Sequence, residues 1–117
     1  MADSYIQARD RVAGTYSFVI RNKAGTIVTA LTSLTLSLWI KGTPTPTYIN
    51  SRNKQNVLNL NNVTFAGGVV TWSMQPADNA LAGDADEIHL ALFEWVATGE
   101  DDFHEIEISV PNTRVRP

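Results

Sequence analysis

Apolar side chains recur at every second position in run after run along this chain, and that period constrains the fold more than any other feature. Tyr16, Phe18 and Ile20 alternate with Ser17, Val19 and Arg21. Leu34, Leu36, Leu38 and Ile40 alternate with Thr35, Ser37, Trp39 and Lys41. The spacing returns at Val70, Trp72 and Met74, at Ile88, Leu90 and Leu92, and at Ile106, Ile108 and Val110. Successive side chains of a pleated strand point to opposite faces, so each run lays an apolar row on one face of a strand. Weaker strands are expected at 26–29, 47–50, 56–60 and 63–66. No stretch combines a helical period with a cap.

Turn-forming residues punctuate the runs: "NKAG" at 22–25, "GTPTP" at 42–46, "NLNN" at 59–62, "AGG" at 66–68 and "TGEDD" at 98–102. Asn, Gly, Pro and Asp each supply turn conformations at low cost. About seven to nine short strands in one chain predict an all-β domain, a single antiparallel β-sandwich of immunoglobulin-like type, with a jelly roll as the alternative. Residues 14–111 would form the sandwich, 1–13 an N-terminal arm and 112–117 a C-terminal tail. The last two runs, joined through "TGEDD", read as a hairpin. The first strand of that hairpin is apolar on both sides, with Ile88, Leu90 and Leu92 on one and Phe93 and Trp95 on the other. Such a strand is central in its sheet or covered on its outer face by a partner.

A chain of 117 residues hides roughly two-thirds of the surface its unfolded form exposes, enough for a core without staples. It has no cysteine, which excludes disulfides, thiolate metal sites and a cysteine nucleophile. The net charge of −3 and nine scattered Lys and Arg argue against binding nucleic acid through phosphate. No apolar stretch is long enough to span a bilayer, so no membrane partner is expected. "MADSYIQARDRVAG" lacks the apolar segment of a signal peptide, and the expectation is folding in a cytoplasm.

The acidic stretch "QPADNALAGDADE" invites a calcium reading. An EF-hand counted from Asp84 would need Gly at its sixth position and Glu at its twelfth, where this chain has His89 and Trp95. A plain corner between strands accounts for it better: Pro76 ends a strand by removing a ladder donor, and Asp78 bonds its own turn backbone. Glu94, Glu105 and Glu107 are the carboxylates nearest a glycosidase pattern, but Glu105 and Glu107 share the face opposite Ile106 and Ile108 and read as solvated acids. His89 and His104 read as polar residues at strand edges. There is no nucleophile elbow and no phosphate-cradling glycine loop. Of the tryptophans, Trp72 shares the parity of Val70 and Met74 and belongs in the core. Trp39 and Trp95 lie opposite apolar rows; either they face outward as contact groups, or both faces of their strands are covered internally.

Three stretches carry a resemblance: "TYSFVIRNKAGTIVTALTSLTLSLW", "INSRNKQNVLNLNNVTFAGGVVTWSMQPADNAL" and "EIHLALFEWVATGEDDFHEIEISVPNTRV". Over roughly residues 14 to 115 the chain resembles small virion proteins of tailed bacteriophages with an immunoglobulin-like, baseplate-upper-protein-like β-sandwich. The shared motifs are structural. The resemblance implies no enzymatic activity and no cofactor. It implies a structural virion protein, a capsid decoration or cement protein or a head–tail accessory, partnered by phage capsid or tail proteins and by copies of itself. The expected contact residues are Tyr5, Ile6, Arg9 and Arg11 of the N-terminal arm, Trp39, Tyr48 and Trp95, and Arg114 and Arg116 of the tail. On that reading, removing residues 1–11 leaves the domain folded and abolishes assembly. The alternative is a carbohydrate-binding or host-adhesion module of a tail or baseplate, with Trp39, Tyr48 and Trp95 as its aromatic platform.

Overall fold

The computed structural model describes residues 3–83 and 85–111. Among these, eight strands and one short 3-10 turn follow in order: β1 (Ser4–Gln7), β2 (Gly14–Val19), β3 (Ser33–Ile40), β4 (Gln55–Asn56), β5 (Val63–Ala66), β6 (Val69–Met74), the 3-10 turn (Pro76–Asn79), β7 (Glu87–Ala97) and β8 (Glu100–Val110). They form a five-stranded sheet in the order β1-β8-β7-β3-β4 and a three-stranded sheet in the order β2-β6-β5. All pairings are antiparallel except that of β1 with β8. The fold is the expected all-β sandwich. β2, β6 and β5 stand in the B-E-D order of an immunoglobulin sandwich, and β3, β7 and β8 in its C-F-G order.

The long runs became strands because each has a face to bury. Leu34, Leu36 and Leu38 of β3, Ile106, Ile108 and Val110 of β8, and Val70, Trp72 and Met74 of β6 all point between the sheets. The Phe93 ring meets Phe18 at 5.2 Å and Trp72 edge-on at 5.6 Å, which locks the layers with paired aromatics. The weaker runs had less to bury. The 26–29 run retains one bridge, Arg21 to Ile27, and the 47–50 run one, Trp39 to Tyr48. Of 56–60, only Asn56 lies in a strand.

The hairpin turn is shorter than "TGEDD". Ala97 pairs with Glu100, so Thr98 and Gly99 alone make the connection, with Gly99 at φ 75°. The expected N-terminal arm is also built into the domain. β1 lies along the β8 edge, Ala8 is in the core, and Ile6 packs against it. Asp10 Oδ1 accepts from the Leu81 amide, and Asn79 Nδ2 donates to the Val12 carbonyl, which tie residues 10–12 to the far corner.

Candidate protein-contact face

Parity along β7 decides what the five-stranded sheet shows to solvent. The inward row is His89, Ala91, Phe93, Trp95 and Ala97. Its aromatic members fill the space between the sheets, with Trp95 only 8% exposed and its ring 6.0 Å from that of Phe18. Ile88, Leu90, Leu92 and Val96 are therefore left on the outer face, with Glu94 among them. Directly opposed residues in a ladder share a face. The register then draws one row straight across the sheet: Tyr5, Glu107, Leu90, Trp39 and Tyr48. Neighbouring rows add Ile88 beside Ser109, and Phe103 beside Glu94. Five of the nine large apolar side chains most open to solvent among the described residues lie here: Tyr5 at 64%, Tyr48, Ile88, Val96 and Phe103 at 56%.

The other outer face has a different chemistry. β2, β6 and β5 turn Thr15, Ser17, Thr64, Thr71 and Ser73 outward, with Val19 and Val69 at one end, and Ser17 and Thr71 hydrogen-bond across the strands at 3.2 Å. A hydroxyl-covered sheet suits water; a face of Leu, Ile, Trp and Tyr suits a partner.

Charge on the apolar face is sorted by side. Glu94, Asp101, Glu105 and Glu107 come from β7 and β8, whereas Lys41 and Lys54 flank β3 and β4. Lys41 Nζ reaches Glu107 Oε1 at 2.6 Å. The Glu107 carboxylate, by hydrogen bond and by charge, raises the Lys41 ammonium above its ordinary value. At one end, Ser33, Thr35, Lys54, Glu94, Asp101 and Phe103 rim a shallow open depression.

The acidic corner is spent on structure. Asp78 is fully buried and takes Arg52 Nε on Oδ1 at 2.6 Å and Nη2 on Oδ2 at 3.1 Å. Asn50 Nδ2 donates to Oδ1, and the Gln75 amide donates to Oδ2 at 2.8 Å. Burial pushes the Asp78 carboxyl up, but these donors, Arg52 foremost, outweigh it and hold it below the ordinary 3.8. Arg52 Nη1 donates to Gln55 Oε1 and the Asn61 carbonyl, and its guanidinium lies 5.9 Å from the Trp72 ring centre. Glu87 Oε2 accepts the Ala82 and Gly83 amides, while its Oε1 meets His89 Nε2 at 2.9 Å. Asp86 is exposed, and Asp84 lies outside the described residues. Among the described residues no cluster of three His or acidic side chains is arranged to hold a metal.

Both histidines differ from strand-edge polar groups. His89 is wholly buried on the inner face of β7. His104 stacks on Phe18 at 4.1 Å, and its Nε2 lies 2.7 Å from the Tyr16 hydroxyl, which donates to Ser4 Oγ. Burial lowers the His104 pKa, and Asp3 opposes that shift in part.

The nine expected contact residues thus separate. Tyr5, Trp39 and Tyr48 stand on one line of one face. Ile6 turns inward and Trp95 is core, so neither presents a contact surface. Arg9 and Arg11 are exposed on the 8–13 segment, where Arg11 Nε lies 4.0 Å from Asp10. Arg114 and Arg116 lie outside the described residues. Leu90, Ile88, Phe103 and the Lys41–Glu107 pair were not among the expected contacts; the two-sided apolarity of β7 pointed to Ile88 and Leu90, and only the sheet register brings in the others. Among the described residues no helix is long and apolar enough to cross a membrane. The chain matches no protein-family model and no curated protein.

Proposed function

We propose that this chain is a structural assembly protein that works by contact through the outer face of its five-stranded sheet. Its setting is a tailed-phage particle, where it serves as a decoration or cement protein of the capsid or as a head–tail accessory. The phage setting rests on the sequence resemblance. The mode of action is supported by one observation: the row Tyr5–Leu90–Trp39–Tyr48 on one face, against a hydroxyl-covered face opposite. Aromatic and aliphatic anchors with charged groups beside them supply the burial and the specificity of a protein contact.

A sugar-binding reading draws on the same Trp39–Tyr48 pair, but the three-ring platform it calls for loses Trp95 to the core. The test uses particles banded by density from a lysate of the host. The wild-type chain should co-band with them, and a Leu90→Asp chain should be absent from the band while keeping its circular dichroism spectrum. Incorporation of Leu90→Asp at wild-type stoichiometry overturns the assembly reading. Glycan-array binding lost in Trp39→Ala, with incorporation intact, replaces it with the sugar-binding one.

A further inference from the structure

We infer that the apolar face pairs with the same face of a second copy about a two-fold axis running along the seam between β7 and β3. This rests on the contact-face reading above and names its occupant. The reason is the sorting of charge. An isologous interface sets a surface against itself, so it must be self-complementary. A two-fold axis lying in the interface along the strands exchanges left for right. It carries the acids of β8 onto the partner's β4 side, where Lys54 stands, and Lys54 onto the partner's acids. An axis across the strands would instead lay β8 on β8, acid on acid.

With the axis on the β7–β3 seam, the register sets the contacts. Leu90 and Trp39 are direct ladder partners on either side of the seam, so Leu90 of each copy meets Trp39 of the other. Glu105 stands opposite Leu92, and Leu92 opposite Ser37, whose hydroxyl accepts the Lys54 amide. The same operation therefore brings Glu105 over Lys54 of the second copy. Lys41 and Glu107, already paired within each copy, lie toward one end of the contact. Across that axis β8, β7, β3 and β4 overlap their counterparts while β1 overhangs, and their roughly fifteen outward positions, each about 4.8 Å by 6.7 Å, offer on the order of 500 Å² per copy, the area of a weak dimer. Standard interfaces take about 800 Å² from each partner.

The experiment is sedimentation velocity on the full chain, from low micromolar to several hundred micromolar. The wild type should pass from monomer to dimer. Leu90→Asp should remain monomeric, and Thr64→Asp, on the hydroxyl-covered sheet, should dimerise as the wild type does. Lys54→Glu and Glu105→Lys should each weaken association by about tenfold, since like charges then face across the axis. Mixed in equal amounts, these two variants should form a heterodimer, because each restores opposite charges to both of the other's contacts. A wild type that stays monomeric overturns the inference, as does a dimer untouched by Leu90→Asp or a mixture no tighter than its components. If the wild type is monomeric and Leu90→Asp alone is excluded from particles, the contact-face reading stands and only the second copy is removed as its occupant.

Discussion

At the scale of single residues, the acidic corner is held by a charge pair that spacing does not reveal. The turn chemistry of Asp78 was legible, and its bond to the Gln75 amide is there. Its partner Arg52 was not, because the two are 26 positions apart and meet only when the sheets close. A buried pair that loses one member leaves an uncompensated charge, at about 3–5 kcal/mol, whereas replacing both with apolar groups is far milder. Arg52→Met is therefore expected to destabilise the domain by about that much at neutral pH, and Arg52→Met with Asp78→Leu to recover most of it. The pH dependence carries a definite sign. In the wild type the depressed Asp78 pKa contributes stability that is full above the ordinary 3.8 and is lost as pH falls through the folded value. In Arg52→Met the buried carboxylate has lost its main stabilising donors, and acid relieves its charge. The gap between the two proteins in urea unfolding should be widest at pH 7 and narrow below about pH 4. A gap independent of pH would show that Asp78 is not the group left unpaired.

At the scale of elements, the period-two runs predicted strands well wherever a run had a face to bury. They said less about edges. The first residues read as an arm, yet β1 completes the β8 edge, and Ile6 and Ala8 seal the core beneath it. Parallel pairing with a strand about a hundred positions away has no local signature. The expectation that residues 1–11 can be removed without harm to the domain is replaced by its opposite. Deletion should lower the thermal midpoint by several degrees at least, since it strips β8 of its neighbour and opens Ile106 and Ile108 to water. The bared β8 edge should also promote aggregation. A truncated chain that melts with the wild type would show that β1 adds no stability. The hairpin shows a second kind of limit: its sequence announced a turn, but the ladder ran through Asp101 and Asp102 and left only two residues outside it. Cross-strand pairing overrides the turn preference of isolated acids.

At the scale of the whole molecule, the question is which side of each sheet is inside. β7 offers two apolar rows, and the alternation alone cannot rank them. The sandwich ranks them by which row's rings pack against the facing sheet. Phe93 and Trp95 fill the space against Phe18 and Trp72, while Ile88, Leu90 and Leu92 go outward. Two tryptophans that look alike in sequence then take opposite roles. Trp95→Ala should cost about 3–5 kcal/mol of stability, the range for emptying a buried aromatic site. Trp39→Ala, on the half-buried outer face, should cost no more than about 1–2 kcal/mol and act mainly on association. Paired unfolding and sedimentation measurements on the two variants separate the roles. Equal losses of stability would mean that Trp39 is as much a part of the core as Trp95.

By itself the sequence determined that this chain is a β-sandwich, where most of its strands run, that its acidic bend is a corner, and that β7 is apolar on both sides. Each of these follows from local chemistry: a two-residue period, a turn preference, a proline without a donor. The tertiary structure alone decided that Trp95 is core and Leu90 surface, that Arg52 neutralises Asp78, and that Tyr5, Leu90, Trp39 and Tyr48 share one line. Those are relations between strands distant in sequence. They exist only once register and sheet pairing have been fixed by burying one particular set of side chains at the expense of another.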